Sequence, residues 1–339
     1  MMDLATASDT EIRHYLTDRG LHVGGLARVE RLPGGVSGIV VRVDIADGPV
    51  VCKQSLERLA VPGEWQADRR RILTEARALE VYGKLTPELV PRLVDVDADQ
   101  LILTMTCAPS EWWPWKERLL AGEKAAIATA VADRLGHGLA RWHAGTAGDA
   151  DLLASFDDQE TYRLLRTDPF YRALAGAHPD LADRLRGLAD ALHRDHVCLV
   201  HGDFSPKNVL VGDDGLWIVD HEVAVAGRPV FDLAFLITHL TLKAVERERR
   251  FLLDAATTFW STYQKAWPES GVTAEELGDH VAALMLARVD GVSTVHYLSE
   301  RQEGLVREVA RDHLAAGGTI DDLWQRVREL NGPSSGEHA

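Results

Sequence analysis

The stretch Leu199-Val-His-Gly-Asp-Phe-Ser-Pro-Lys-Asn-Val-Leu-Val211 places an aspartate, Asp203, five residues before an asparagine, Asn208, in a short loop between two apolar runs. A second acidic pair, Asp220 and Glu222, follows the next apolar run, Leu216-Trp-Ile-Val219. Phosphoryl transfer calls for such a set. One carboxylate receives or orients the substrate hydroxyl, while an amide and a later carboxylate hold the magnesium ions that bridge the nucleotide phosphates. An HxD or a DxE alone is weak evidence. The ordered HGDxxxxN, apolar strand and DxE in one short window is specific.

Val209-Leu-Val211, the turn Gly212-Asp-Asp-Gly215 and the run Leu216 to Val219 read as a β-hairpin with an Asp-Gly turn. The spacing predicts Asn208 at the entrance of that hairpin and Asp220 at its exit. An ordinary exposed hairpin would leave the ordered His, Asp, Asn and Asp unexplained.

These residues resemble the aminoglycoside phosphotransferase and choline kinase-like superfamily, a branch of the protein-kinase-like fold. The family's HGDxxxxN is His201 to Asn208, its metal-binding aspartate is Asp220, and its FDLA element is Phe231-Asp-Leu-Ala234. The resemblance implies an α+β, bilobal protein-kinase-like fold with a small antiparallel-sheet N-lobe and a mainly helical C-lobe. It implies Asp203 as catalytic base, Asn208 and Asp220 as Mg2+ ligands, and Asp232 as a brace for the catalytic loop. The expected division is a nucleotide-binding lobe over 1–106, a catalytic and substrate lobe over 107–330, and a disordered tail over 331–339.

At 339 residues the chain is long enough for two lobes with separate cores. With 46% hydrophobic and 26% charged residues it reads as soluble and globular. No apolar run approaches the roughly 20 residues of a membrane helix, and Met1 to Thr10 lacks a signal peptide's basic and apolar regions. Cys52, Cys107 and Cys198 are scattered through apolar runs without metal-ligand spacing, which predicts buried free thiols in a reducing cytoplasm. A net charge of −15 argues against nucleic acid as a partner and favours cationic ligands.

In the N-terminal part, Ser8-Asp-Thr-Glu11 is a capping-box pattern that predicts a short opening helix. Strand-like runs follow at 27–32, 39–45 and 49–54. The glycine-rich turn Pro33-Gly-Gly-Val-Ser-Gly38 lies between the first two, and Gly34, Gly35 and Ser37 are candidates for cradling phosphates through backbone N–H groups. Lys53, inside the β-rich run Val50-Val-Cys-Lys-Gln54, is placed to contact the α- and β-phosphates. Its partner should be a glutamate on the helix predicted over 69–85, where Glu75 is preferred to Glu80 because it sits in an ExxAL-like start. The loop from Gln54 to Trp65 and the DxE pair resemble 5-methylthioribose kinases. The likeness ends at Phe204-Ser-Pro-Lys-Asn208, where those kinases carry HGDxHTGS without the asparagine. Strands predicted over 91–96 and 100–106 bring Thr104 and Thr106 to the lobe crossing, where backbone groups meet the adenine of ATP, or equally the guanine of GTP.

In the C-terminal part, Glu111-Trp-Trp-Pro-Trp115 is an aromatic cluster that suits either a ligand wall or a core cap. A helix is predicted over 123–143, ending at a structural His143, and further amphipathic helices near 249–266, 274–290, 301–315 and 319–330. The charge runs Arg69-Arg-Arg71 and 246–250 read as solvated helix faces. Arg288 and Asp290, near the end of a late helix, and Glu222 are candidates for the acceptor site.

The expectation is an ATP- and Mg2+-dependent O-phosphotransferase. Its acceptor would be an aminoglycoside-, nucleoside- or sugar-like alcohol, with antibiotic modification as one role. Methylthioribose, homoserine or choline kinases are the metabolic alternative, and a nucleotide-binding scaffold without activity is a third.

Overall fold

The computed structural model describes residues 2–32, 38–56, 68–246 and 249–330. The glycine-rich turn with Gly34, Gly35 and Ser37, the tryptophan-bearing loop 57–67 and the tail 331–339 lie outside the described residues. The chain divides into two compact units, Met1–Trp113 with Leu210–Ala224, and Pro114–Val209 with Val225–Ala339.

The first unit opens with helix α1 (Asp9–Asp18), started by a capping box. Ser8 Oγ accepts from the Glu11 N–H while the Glu11 carboxylate accepts from the Ser8 N–H at 2.8 Å. Five strands, β1 (Val29–Leu32), β2 (Gly38–Val43), β3 (Val50–Ser55), β4 (Leu93–Asp97) and β5 (Ile102–Thr106), form an antiparallel sheet in the order β1-β2-β3-β5-β4. Helix α2 (Arg71–Leu85) lies between β3 and β4 in the chain.

Side-chain alternation along β3 decides what each face does. Val50 and Cys52 join Val41, Val43 and Ile102 in a core closed by Leu4, Ile12 and Leu16. Gln54 shares that face and ties down the N-terminal segment. Its Nε2 donates to the Met2 and Gln100 carbonyls at 2.9 and 3.0 Å, and its Oε1 accepts from the Leu4 N–H at 2.9 Å. Lys53 therefore points from the opposite face, on a strand flanked by β2 and β5. Cys52 is buried as expected, and so is Cys198, whereas Cys107, one residue past β5, is only half-buried.

The strands Val209–Val211 and Leu216–Ile218 form the hairpin read from the sequence, closed by a Gly212 N–H bond to the Gly215 carbonyl at 2.9 Å. Ile218 N–H also donates to the Leu89 carbonyl at 2.7 Å. Trp112 lies on the turn, donating from Nε1 to Asp214 Oδ1 at 2.9 Å and meeting Trp217 edge-on with centroids 5.5 Å apart. Neither glycine has a positive φ. They are small because a Cβ at Gly212 would sit 2.1 Å from Trp112 Nε1, and one at Gly215 2.7 Å from the ring. Gly212→Ala is accordingly expected to lower stability by about 1–3 kcal/mol through overpacking, with an altered tryptophan fluorescence spectrum. A melting curve identical to the parent's would show that the ring moves aside without cost.

The second unit is built on helices Ala125–Thr146, Val230–Ala244, Phe251–Ala266 and Ala274–Asp290. Val230–Ala244 is buried on nearly every face, so it is the central helix. Trp115 is fully buried in this unit, as a core cap would be. Residues Arg163–Arg172, with Pro169 among them, form a π-helix, a wide turn type found mostly where function tolerates its poorer geometry. Strands Cys198–Val200 and Val225–Gly227 pair antiparallel and bracket the segment that carries Asp203 and the hairpin. Among the described residues no helix is long and apolar enough to cross a membrane.

Candidate active site

In the first unit, Lys53 sits in a buried cluster of carboxylates. Its Nζ is 2.7 Å from Glu75 Oε2, hydrogen-bonded to Asp220 Oδ1, and 4.0 Å from Glu222 Oε2. Glu80, the other glutamate weighed for this contact, is exposed. Glu222 is held by Arg71, whose Nε lies 3.1 Å from its Oε2 and whose guanidinium also donates to the Asp68 and Leu56 carbonyls. Arg71 and Glu75 stand one turn apart on α2 and so share a face.

This corrects the reading of Arg69-Arg-Arg71 as a solvated run. Arg71 is only 2% exposed, because a carboxylate and two carbonyls satisfy its charge inside the unit.

Asp220 ends the hairpin with a φ of 70°. That left-handed conformation is tolerated by aspartate, and it concentrates where a side chain must be aimed. Burial pulls the Lys53 amine down, but Asp220, Glu75 and Glu222 together outweigh it and keep it charged. Burial pushes the Glu75 carboxyl up to about 7 against the pull of Lys53, with Asp220 and Glu222 adding to the rise. Two cations thus face three carboxylates, and one oxygen from each of Glu75, Asp220 and Glu222 lies within 4.8 Å of the others. Hard oxygen donors with surplus negative charge fit a divalent cation such as Mg2+. Thr104, in β5, is buried and donates its hydroxyl to Cys52 Sγ at 3.7 Å, and Thr106 Oγ1 accepts from the Arg92 N–H at 2.9 Å.

In the second unit, the loop after Cys198–Val200 is fixed by Asp232, in the first turn of the central helix. Asp232 accepts from the N–H groups of His201 at 2.6 Å and Gly202 at 2.9 Å, and lies 3.2 Å from His143 Nε2. His143 Nδ1 is in turn 2.9 Å from the Tyr263 hydroxyl. Gly202 has a φ of 75°, which costs glycine nothing and would strain other residues. The next N–H, of Asp203, donates to His201 Nδ1 at 3.1 Å. The Asp203 carboxylate is only slightly exposed and lies 2.9 Å from Lys207 Nζ and 3.2 Å from Arg166 Nη2. Asn208 Nδ2 donates to the Asp203 carbonyl at 3.0 Å, which orders the loop across its five-residue span.

Residues 28–269 match the phosphotransferase enzyme family. The chain belongs to that family. A methylthioribose kinase of Bacillus cereus (strain AH820) is 26% identical over 279 residues, covering 69% of this chain and 67% of that kinase. One from Geobacillus thermodenitrificans (strain NG80-2) is 26% identical over 249 residues, 65% of this chain and 62% of its own length. The chain thus spans about two thirds of the curated relatives it matches. An amicoumacin kinase solved with AMP-PNP and Ca2+ superposes with a TM-score of 0.55 at 13% identity, over 92% of this chain and 95% of that one. A choline/ethanolamine kinase family protein from Mesorhizobium loti gives 0.50 at 17% identity, over 92% and 90%. These likenesses establish the bilobal, protein-kinase-like α+β fold, and membership makes the chain a phosphotransferase of the kinase type.

For a phosphotransferase, two further features of the second unit matter. Arg166 comes from the π-helix, reaching Asp203 with one nitrogen and the Gly202 carbonyl with another. No motif marks it, and the only sequence signal is Pro169 interrupting an otherwise helical stretch. Arg288, in the last turn of Ala274–Asp290, donates to the Ser293 carbonyl at 2.7 Å and Oγ at 2.8 Å, with its guanidinium 5.6 Å from the Phe170 ring centre. It lines a cavity of about 310 Å³ together with Pro206 and Lys207 of the Asp203 loop. Its neighbour Asp290 is occupied by Arg307 and His178.

Proposed function

We propose that this phosphotransferase moves the γ-phosphoryl group of ATP, or of GTP, onto a hydroxyl of an aminoglycoside-, nucleoside- or sugar-like small molecule. The carrying observation is Asp203, a nearly buried carboxylate on a braced loop, beside a cavity with room for a small acceptor. The acceptor oxygen forms the new bond to the γ-phosphorus as the bond to the bridging oxygen breaks. That electron pair leaves on the nucleoside diphosphate, and the hydroxyl proton passes to Asp203.

In this reading residues 1–106 form the nucleotide lobe and 107–330 the catalytic and acceptor lobe. Lys53, fixed by Glu75, contacts the α- and β-phosphates, and backbone groups at Thr104 and Thr106 meet the base. Asn208 and Asp220 hold Mg2+, which supplies charge neutralisation for the phosphates. Lys207 and Arg166 orient the Asp203 carboxylate, so catalysis rests on positioning and electrostatics. The methylthioribose kinase relatives favour a second reading, a metabolic sugar acceptor of that type. The test is nucleotide turnover against a panel of hydroxylated metabolites and antibiotics, with the product located by mass spectrometry and phosphorus NMR.

Asp220→Ala should abolish most Mg2+-dependent nucleotide binding, because it removes the most exposed carboxylate of the Lys53 cluster. Titration calorimetry with an ATP analogue, with and without Mg2+, measures this directly. Unchanged Mg2+-dependent affinity would remove Asp220 from the metal site.

A further inference from the structure

The cavity beside the Asp203 loop is cationic although the chain as a whole carries a net charge of −15. Its lining includes Lys116, Lys207, His239, Arg288, His296 and Tyr297, and no carboxylate. Lys243, from the central helix, does not line the cavity but packs against a residue that does: it is 1% exposed, with its Nζ 4.9 Å from the centre of the Tyr297 ring.

Two of these cations already have a use or a neutral partner. Lys207 pairs with Asp203, and Arg288 donates to the Ser293 carbonyl and hydroxyl. Arg288 Nε, however, is buried without a hydrogen-bond partner. Among the described residues Lys243 finds only the His239 carbonyl, at 3.2 Å, and the face of Tyr297. Among the described residues no carboxylate forms an ion pair with Lys116, Lys243 or Arg288, and the Asp203 carboxylate attracts Arg288 only at longer range.

An uncompensated buried ammonium is costly, and the cost rises with each like charge nearby. Burial, then Lys116, Arg288 and Arg249, bring the Lys243 amine down to about 7. Burial, then Arg288, Lys243, Lys207 and Lys116, hold His239 well below its usual range. Natural cores rarely keep such a group without a task. An anion in the cavity would supply counter-charge to this cationic cluster.

We propose that the acceptor is an alcohol bearing an anionic group, a carboxylate or a phosphate monoester, held in the cavity beside Arg288 and Lys116, with its hydroxyl toward Asp203 and the buried charge of Lys243 behind Tyr297. This rests on the phosphotransfer reading above and narrows its acceptor class. The cationic aminoglycosides that the overall negative charge favours would be repelled by this cavity, whatever attraction they feel at long range.

The test has two parts, so that the acceptor class and the chemistry fail separately. First, citrate and inorganic phosphate are titrated calorimetrically into the full chain without nucleotide, at constant ionic strength. One site is expected, weakened at least tenfold in Arg288→Met and in Lys243→Met, and unchanged in Arg186→Met, a surface control outside the cavity. Lys243→Met should melt no lower than the parent, since it removes an uncompensated charge and keeps the side-chain volume. Absence of binding, or binding indifferent to both Arg288→Met and Lys243→Met, overturns the proposal.

Second, turnover is compared for glucose, glucosamine, gluconate and glucose 6-phosphate, and for glycerol, glycerate and glycerol 3-phosphate. At least a tenfold preference for the anionic member of a series is expected, with the carboxylate and phosphate arms telling which anion is meant. A preference for the neutral or amino member overturns the anionic acceptor and leaves phosphotransfer standing. Anion binding without Asp203-dependent phosphorylation of any acceptor overturns the phosphotransfer reading instead.

Discussion

Asp203→Asn is expected to lower kcat by about 10²–10⁴-fold, the usual range for loss of a positioned general base, with nucleotide affinity nearly unchanged. The substitution keeps the side chain's shape and its place on the loop, which is set by backbone bonds from His201, Gly202 and Asp203. What it removes is the charge that Lys207 and Arg166 now face at 2.9 and 3.2 Å. Freed of that partner, both cations would favour an incoming anionic phosphate, so nucleotide Kd should hold or tighten. Single-turnover kinetics and equilibrium titration separate the two effects. An unchanged kcat would move the proton transfer elsewhere, and a loss confined to nucleotide Kd would make Asp203 a binding residue.

The parts of this site that the sequence discloses are the local ones. His201 to Asn208 and Asp220 announce themselves because the loop and the hairpin follow one another in the chain, so spacing alone orders them. Lys53 was also legible, as a charge stranded inside an apolar strand. Its buried contact with Glu75 was a choice between two glutamates that periodicity does not separate. It took α2 packed on the sheet to show Glu75 inside and Glu80 outside.

The rest depended on contacts distant in sequence. Arg71 looked like one of three surface arginines until Glu222, 151 residues away, supplied its counter-charge. Arg166 meets Asp203 through a π-helix whose register no 3.6-residue pattern describes. Lys243 is the sharpest case. In the last turn of Val230–Ala244 a lysine would be expected to reach solvent, yet it turns inward against Tyr297. Gly212 and Gly215 were read correctly as a turn, but the reason for their size is a tryptophan ring about 100 residues earlier in the chain.

Asp232→Ala should be the most damaging single change for folding and activity together. Asp232 is wholly buried, and its two oxygens accept from the N–H groups of His201 and Gly202 and contact His143 Nε2. Removing it takes away the acceptor of both N–H groups, at about 1–3 kcal/mol for each donor left unsatisfied, for a total on the order of 3–5 kcal/mol. Against a typical stability of about 5–15 kcal/mol, the protein should still fold at low temperature but melt markedly earlier. Asp183→Ala, at a fully exposed side chain, is the matched control and should melt like the parent. Activity should fall further than the folded fraction explains, because Gly202 and His201 set the direction of Asp203. Asp232→Asn should rescue only part of either loss. An amide offers one acceptor oxygen where two N–H groups now converge on two, and its own NH2 would confront one of them. The decisive measurement is kcat well below the melting midpoint, corrected for the folded fraction by circular dichroism. If the corrected kcat of Asp232→Ala equals the parent's, Asp232 holds the core together without aiming Asp203, and the loop owes its geometry to the strand pair Cys198–Val200 and Val225–Gly227 alone.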